Sequence, residues 1–347
     1  MRKFTFVLLT SLVVAALLLS ACGGAAPKKL KVAVVLDTGG ENDKSFNEYT
    51  LKGAQEAATA NNLDISYVVS ASSSDYEKNI ENFATEGANM IVTVGFLMGD
   101  ATAKMAQKYP EIKFAIVDVS YFPGFGCDKS LTDCYTGDGP FKNITSLMFA
   151  EDQVGYLAGV LAGCMTKTGT IATVSGMEIP PVIKYVVGYQ TGAKSVKPEV
   201  KALNIYVPDF NDPTTGKQAG QDFVNQGADV VFGVGGNTGN GGLLAAHEAG
   251  LMGIGVDVDQ YFTYPEVASS LLTSAQKNMD VATNQAVTAF AKGQLQPGLQ
   301  LATLNNGGIR LAPYHDWDSK IPQDCKDKIK AAEDGLKNGT LTTGYKP

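Results

Sequence analysis

Carboxylates that close apolar runs are the residues of this chain best placed to do chemistry. Asp37 ends the run 30–37, Asp118 stands near the end of 113–119, and 253–259 closes on Asp257 and Asp259. An ionised carboxylate at a strand end accepts charge-assisted hydrogen bonds, and several together can grip the vicinal hydroxyls of a sugar. Lys277, which closes Leu271-Leu272-Thr273-Ser274-Ala275-Gln276-Lys277, can balance their charge and donate to the same oxygens. Each residue also has a plainer use. Asp37 can cap a helix or close a turn, and Lys277 can sit solvated at the entry to the next helix. Phe46, in Asp43-Lys44-Ser45-Phe46-Asn47, is either a hydrophobic staple or an aromatic face for a planar ligand. Stacking on such a face contributes about 0.5–1.5 kcal/mol.

Signatures of enzyme chemistry are missing. After the first run stands Asp37-Thr38-Gly39-Gly40, not the glycine fingerprint of a dinucleotide site. The stretch 233–242 is rich in glycine but lacks the Gly-Lys-Ser/Thr ending of a phosphate loop. As a loop, its backbone amides could approach a ligand closely, or it is only a flexible turn. The chain holds two histidines, His247 and His315, too few for histidine-rich metal sites and poor material for a triad. No metal and no cofactor is expected. The net charge of −7 at pH 7, with few basic clusters, argues against nucleic acid.

The elements that must position these residues alternate regularly. Apolar runs at 30–37, 63–70, 90–95 and 113–119 are separated by helical patterns at 47–60, 75–87 and one running through Tyr109. The pattern restarts after a loop holding Cys127 and Cys134, with runs at 144–150, 170–176, 201–208, 229–235, 253–259 and 267–274. Helices are expected at 152–166, 181–196, near 216–226, around 242–250, at 278–292 and at 322–336, with 301–312 extended. Strand, helix, strand repeated in this way gives parallel sheets with helices on both faces. In open sheets of this kind, ligands bind beyond the carboxyl ends of the strands. Those ends are where the aspartates stand.

Residues 1–23 point to an address. Arg2 and Lys3 precede an uncharged, mostly apolar run that leads into Leu18-Leu19-Ser20-Ala21-Cys22-Gly23. Charged, apolar, then small residues is the order of a secretory signal. The run is short for a membrane span, which needs about 20 apolar residues. The small residues before Cys22 resemble the bacterial lipobox, which implies cleavage after Ala21, acylation of Cys22 and a lipid-anchored chain on the outer face of the cell membrane. Outside the cytosol, a disulfide between Cys127 and Cys134 is a reasonable expectation, two free loop thiols being the alternative. Cys164 reads as a small buried hydrophobe, and Cys325 has no partner legible in the sequence.

Taken in order and spacing, several motifs resemble the basic membrane protein family of ABC-transporter substrate-binding lipoproteins. They are Asp43-Lys44-Ser45-Phe46-Asn47, Gly155-Tyr156-Leu157-Ala158-Gly159, Ile179-Pro180, Asp209-Phe210-Asn211-Asp212-Pro213, Gly227-Ala228-Asp229-Val230-Val231-Phe232, Ile254-Gly255-Val256-Asp257-Val258-Asp259-Gln260 and Leu272-Thr273-Ser274. The resemblance implies an α/β, type I periplasmic-binding-protein fold: two Rossmann-like lobes with parallel sheets joined by a multi-crossover hinge. It implies a signal at 1–21, a tether at 22–29, a first lobe of 30–147 plus about 266–300, and a second of 148–265 plus about 301–347. A nucleoside, of the purine type, would lie in the cleft, its base between Phe46 and Phe232, with Phe210 the alternative to Phe232. Asp37, Asp118, Asp257 and Lys277 would hold the ribose, with Gly236 and Gly239 in a closing loop and Thr38 and Asn47 alongside. Thr38 stands where some relatives carry a side-chain amide. The implied partner is an ABC permease in the membrane, and the chain is expected to be monomeric and not an enzyme. Two other functions fit the same cleft: a secreted α/β enzyme acting on nucleosides, and a ligand sensor.

Overall fold

A computed structural model describes residues 29–346. The signal, most of the tether and Cys22 lie outside the described residues. From Lys31 the chain forms one unit, and it opens with β1 (Lys31–Leu36), α1 (Phe46–Ala60), β2 (Asp64–Val69), α2 (Tyr76–Thr85), β3 (Met90–Val94), α3 (Gly99–Lys108) and β4 (Lys113–Val117). Two short strands, β5 (Phe122–Pro123) and β6 (Gly126–Cys127), then precede β7 (Ile144–Phe149). The second set comprises α4 (Glu151–Met165), β8 (Thr170–Ser175), α5 (Pro180–Val196), β9 (Lys201–Tyr206), α6 (Pro213–Asn225), β10 (Val230–Val234), α7 (Gly236–Glu248), β11 (Met252–Asp257), the short α8 (Gln260–Thr263) and β12 (Leu271–Lys277). The chain closes with α9 (Met279–Ala291), β13 (Gly298–Ala302), β14 (Ile309–Leu311) and α10 (Gln323–Asn338).

Inner strands such as β1, β3, β10 and β11 are apolar at nearly every position because helices cover both faces of each sheet. The first sheet has the order β13-β7-β4-β3-β1-β2 and the second β14-β12-β11-β10-β8-β9. The two lobes therefore repeat one topology, strand for strand. They differ at the last position, where β13 runs parallel to β7 but β14 runs antiparallel to β12. An apolar cluster continues from Val34 and Leu147 through Leu157 of α4 to Ile254, which joins the lobes along the hinge side. Helices α4 and α5 meet backbone to backbone, since a Cβ at Gly159 would lie 2.0 Å from the Tyr189 carbonyl oxygen. That contact accounts for the Gly155–Gly159 motif.

Three features differ from the sequence pattern. Strand β12, expected in the first lobe, pairs with β11 in the second sheet, so the chain returns to the first lobe after Lys277 and not near residue 266. The extended segment 301–312 is two strands in different sheets, with the chain crossing between lobes at 303–308. The glycine-rich stretch is helical from Gly236 onward. Three crossings lie side by side: the Ala150 amide donates to the Ala302 carbonyl at 2.9 Å, and the Asn278 amide to the Gly308 carbonyl at 2.9 Å. Cys127 and Cys134 are bonded to each other. Their loop packs on Tyr121, whose hydroxyl donates to the Gly99 carbonyl at 2.7 Å and whose amide donates to the Tyr135 hydroxyl at 2.7 Å. The loop thereby holds the backbone just after Asp118.

Candidate functional site

The carboxyl ends of the inner strands of both lobes line one cavity, partly open to solvent. Concave clefts between lobes of this kind are where small molecules bind. The first lobe supplies Asp37, Asp43, Phe46, Asn47 and Asp118, and the second supplies Tyr185, Phe210, Gly236, Asp257 and Lys277. The repeated topology makes Asp118, after β4, the counterpart of Asp257 at the end of β11. Both have left-handed backbones, φ 68° and 66°, a conformation that costs energy for non-glycine residues and persists where surroundings enforce it. Gly95 after β3 and Gly235 after β10 are a second matched pair, at φ 113° and 122°. Only glycine adopts such angles freely.

Asp43 shapes the floor of the first lobe. Its carboxylate accepts from the amides of Ser45, Asn47 and Glu48 and from the Asn47 side chain, at 2.8–3.2 Å, which fastens the entry to α1. Burial pushes its carboxyl up to about 6 against those four donors. Asn47 in turn accepts from the Asp37 amide at 3.0 Å. Asp37 accepts from the Tyr76 hydroxyl and from the Thr38 amide, and burial raises its pKa despite both.

A chain of charges crosses the cleft at its hinge end. Lys277 Nζ lies 2.6 Å from Asp118 Oδ2 and 3.4 Å from Glu151 Oε1, and Lys184 Nζ lies 3.2 Å from Glu151 Oε2. Burial opposes the charge on Lys277, but the carboxylates of Asp118, Glu151 and Asp257 outweigh it and keep the ammonium protonated. Burial raises Glu151 against its two lysines, and raises Asp257 against Lys277 and Ser45. Lys277 also stands 4.8 Å from the centre of the Phe46 ring. The other oxygen of Asp118, Oδ1, is buried and has no hydrogen-bond partner. Such an atom costs about 1–3 kcal/mol unless something donates to it.

Further polar contacts tie one lobe to the other. Ser45 Oγ donates to Asp257 Oδ2 at 2.7 Å, Thr263 Oγ1 to the Lys44 carbonyl at 2.8 Å, and Asn240 Nδ2 to the Asp43 carbonyl at 3.4 Å. Lys44 Nζ sits 4.1 Å from the centre of the Tyr264 ring. The lobes are closed on each other. Chemically, the cavity offers carboxylate acceptors, one ammonium donor and aromatic rings from both lobes, a set that grips hydroxyls and a planar ring.

The family model of ABC transporter substrate-binding proteins described as PnrA-like matches residues 30–337. The chain belongs to this family. An ABC transporter nucleoside-binding protein, BmpA, of Lactococcus lactis is 30% identical over 347 residues, covering 94% of this chain and 92% of that protein. An uncharacterized lipoprotein of Pyrococcus furiosus is 30% identical over 326 residues, covering 89% of this chain and 77% of its own length. Among solved structures, an ABC transporter solute-binding protein from Aeropyrum pernix K1 superposes with a TM-score of 0.80 at 25% identity, covering 90% of this chain and 92% of that one. Membership in the PnrA-like family implies a small-molecule solute, a permease partner and an extracytoplasmic place for the chain.

In this member of the PnrA-like family, seven of the residues expected from sequence stand together: Asp37, Phe46, Asn47, Asp118, Gly236, Asp257 and Lys277 all line the cavity. Phe232 does not. It is fully buried, with its ring against Tyr185 and Tyr189 at 5.8 and 5.1 Å between centres. On β10 the cavity is met by Val234 instead, and the second-lobe rings at the site are Phe210 and Tyr185. Gly239 faces its own sheet, where a Cβ would lie 2.8 Å from the Gly233 carbonyl carbon. Thr38 lies outside the lining and accepts a 3.4 Å contact from Asn211 through its carbonyl. Asp43, Glu151 and Tyr185 were not expected as site residues. An acid two residues after the strand Ile144–Phe149, at the first turn of a helix, was the available signal for Glu151.

Proposed function

We propose that this chain is a lipid-anchored receptor that captures a nucleoside, of the purine type, and delivers it to an ABC permease. The observation that carries the reading is the cavity itself: Phe46 and Phe210 bound it from opposite lobes, while Asp37, Asp118, Asp257 and Lys277 stand at strand ends around it. In this reading the base lies between the two rings and the ribose hydroxyls donate to the carboxylates, Asp118 Oδ1 gaining the donor it lacks. Lys277 donates to a ribose oxygen and offsets the crowded negative charge. The name of the Lactococcus lactis relative supports the ligand class. Closure of the lobes, through the Ser45–Asp257 and Thr263–Lys44 contacts, is the form that docks on the permease. Nothing in this cycle needs a covalent step. Cys22 is the acylated residue, and the mass of the N-terminal peptide released from membranes tests that part separately.

The decisive test is a thermal-shift screen against nucleosides, free bases, ribose and amino acids. Ligand at about 100 times its dissociation constant adds about 2.7 kcal/mol of stability. The expected result is a rise with adenosine, guanosine or inosine and none with ribose. A response only to sugars or amino acids discards the nucleoside. Free base released on incubation replaces the receptor with an enzyme.

A further inference from the structure

We propose that Cys164 and Cys325 form a second disulfide in the exported protein, fastening the C-terminal helix α10 to α4. The two residues are distant in sequence and stand on helices, α4 and α10, that pack against each other. Cys164 is the penultimate residue of α4 and half-buried, and Cys325 is the third residue of α10 and 1% exposed. Cys325 belongs to the apolar cluster against which Cys164 packs, and each thiol shifts the proton affinity of the other. The structure holds them as free thiols. Two free thiols on packed helices, in one apolar cluster, need only a modest movement to bond. A shared metal would need further ligands, and among the described residues no group of three or more His, Cys, Asp or Glu is arranged to hold a metal ion.

The chemistry has a direction. The neighbouring Cys325 lowers the Cys164 thiol, while Cys325 is raised by Cys164 and by burial. Cys164, the more acidic and more exposed, is the attacking thiolate. It displaces one sulfur of an oxidant disulfide, from an envelope thiol–disulfide oxidase or an oxidised small-molecule dithiol. The Cys325 thiol then loses its proton and attacks the Cys164 sulfur of the mixed disulfide, releasing the second thiolate of the oxidant. Two thiol protons are released and two electrons pass to the oxidant. The reason to fasten α10 lies in its sequence. Of its 16 residues only Cys325, Ile329 and Leu336 are buried, so apolar burial alone holds it weakly. Neither cysteine lines the cavity, so the bond acts on stability and leaves ligand affinity alone.

The inference rests on the extracytoplasmic location, since a reducing cytosol keeps such thiols free. The Cys127–Cys134 pair makes the two claims separable. Protein exported by a secreting host is denatured without reductant, alkylated with iodoacetamide, digested and weighed. The expected result is a dithiothreitol-sensitive peptide joining Cys164 to Cys325 beside the one joining Cys127 to Cys134. Alkylation of Cys164 and Cys325 in protein whose Cys127–Cys134 link is intact overturns the inference. If all four are alkylated, the location reading fails, and refolding in a glutathione redox buffer decides: closure of Cys127–Cys134 alone overturns the second disulfide. Cys325→Ser is expected to lower the unfolding midpoint by several degrees without reductant, and the gap to close when both proteins are measured in dithiothreitol. A gap that persists in full under reductant overturns the bond as its cause.

Discussion

Asp118→Asn separates binding from folding at this site. The native carboxylate does two things: Oδ2 pairs with Lys277 at 2.6 Å, and Oδ1 is buried without a partner. Asparagine keeps the volume and tolerates the left-handed backbone at φ 68° better than most residues. Its single acceptor oxygen will turn to the Lys277 ammonium, because an amide NH₂ there would set donor against donor. The NH₂ group then faces the cavity where the ligand hydroxyl needs an acceptor. The loss is one charge-assisted hydrogen bond, about 1.5–3 kcal/mol, or about 10–150-fold in dissociation constant. Folding should suffer less. Removing one partner of an isolated buried ion pair costs about 3–5 kcal/mol, but Lys277 keeps Glu151 at 3.4 Å and the nearby charge of Asp257. Relief of repulsion among the carboxylates offsets part of the remainder. Nucleoside titration calorimetry, paired with urea unfolding, reads both quantities. Affinity within twofold of the wild type in a folded variant refutes the contact between Asp118 and ligand. A stability loss above about 5 kcal/mol refutes the claim that Lys277 remains compensated.

Phe210→Ala is expected to weaken nucleoside binding by about 0.5–1.5 kcal/mol or more with little change in stability, whereas Phe232→Ala should cost about 3–5 kcal/mol of stability as a core truncation; a binding loss from the second without destabilisation would reverse the assignment. Thr263→Val removes the hydroxyl that reaches the Lys44 carbonyl and should weaken binding by about 0.5–1.5 kcal/mol through a less closed apo form, visible as a larger radius of gyration in solution scattering; an unchanged radius with unchanged affinity rejects the clasp. Burial raises the carboxyls of Asp37 and Asp257. A folded state with raised carboxyl pKa values binds protons more readily than the unfolded chain, so these groups stabilise the empty protein increasingly as pH falls through those values. Ligand hydroxyls need the charged form, so affinity moves the opposite way and drops on acidification. The affinity gap between wild type and Asp257→Asn should therefore narrow with falling pH, and a constant gap down to pH ~5 would mean that Asp257 stays ionised in the empty site.

Local patterning was enough for much of this protein. Apolar runs of strand length alternating with helical periods specify a parallel α/β chain, because a strand covered on both faces cannot alternate polar and apolar residues. The same patterning placed Asp37, Asp118, Asp257 and Lys277 at the ends or edges of strands, where side chains emerge toward a ligand, and the spacing of motifs matched the family. What it could not decide is which side of an element meets which neighbour. Phe232 and Val234 lie on the same face of β10, but Phe232 sits deeper along the strand, against Tyr185 and Tyr189, while Val234 near the strand end meets the cavity. Depth below the strand end is a property of packed layers, not of the residues in the strand. The pairing of β12 with β11 and the crossing at 303–308 depend on contacts between separate segments of the chain, as do the meeting of Glu151 with Lys277 and the packing of Cys164 and Cys325 into one cluster. Sequence determined the elements and their chemical endowment; only the folded arrangement decided which carboxylates share one lysine, because charge networks are built from distances that no local pattern contains.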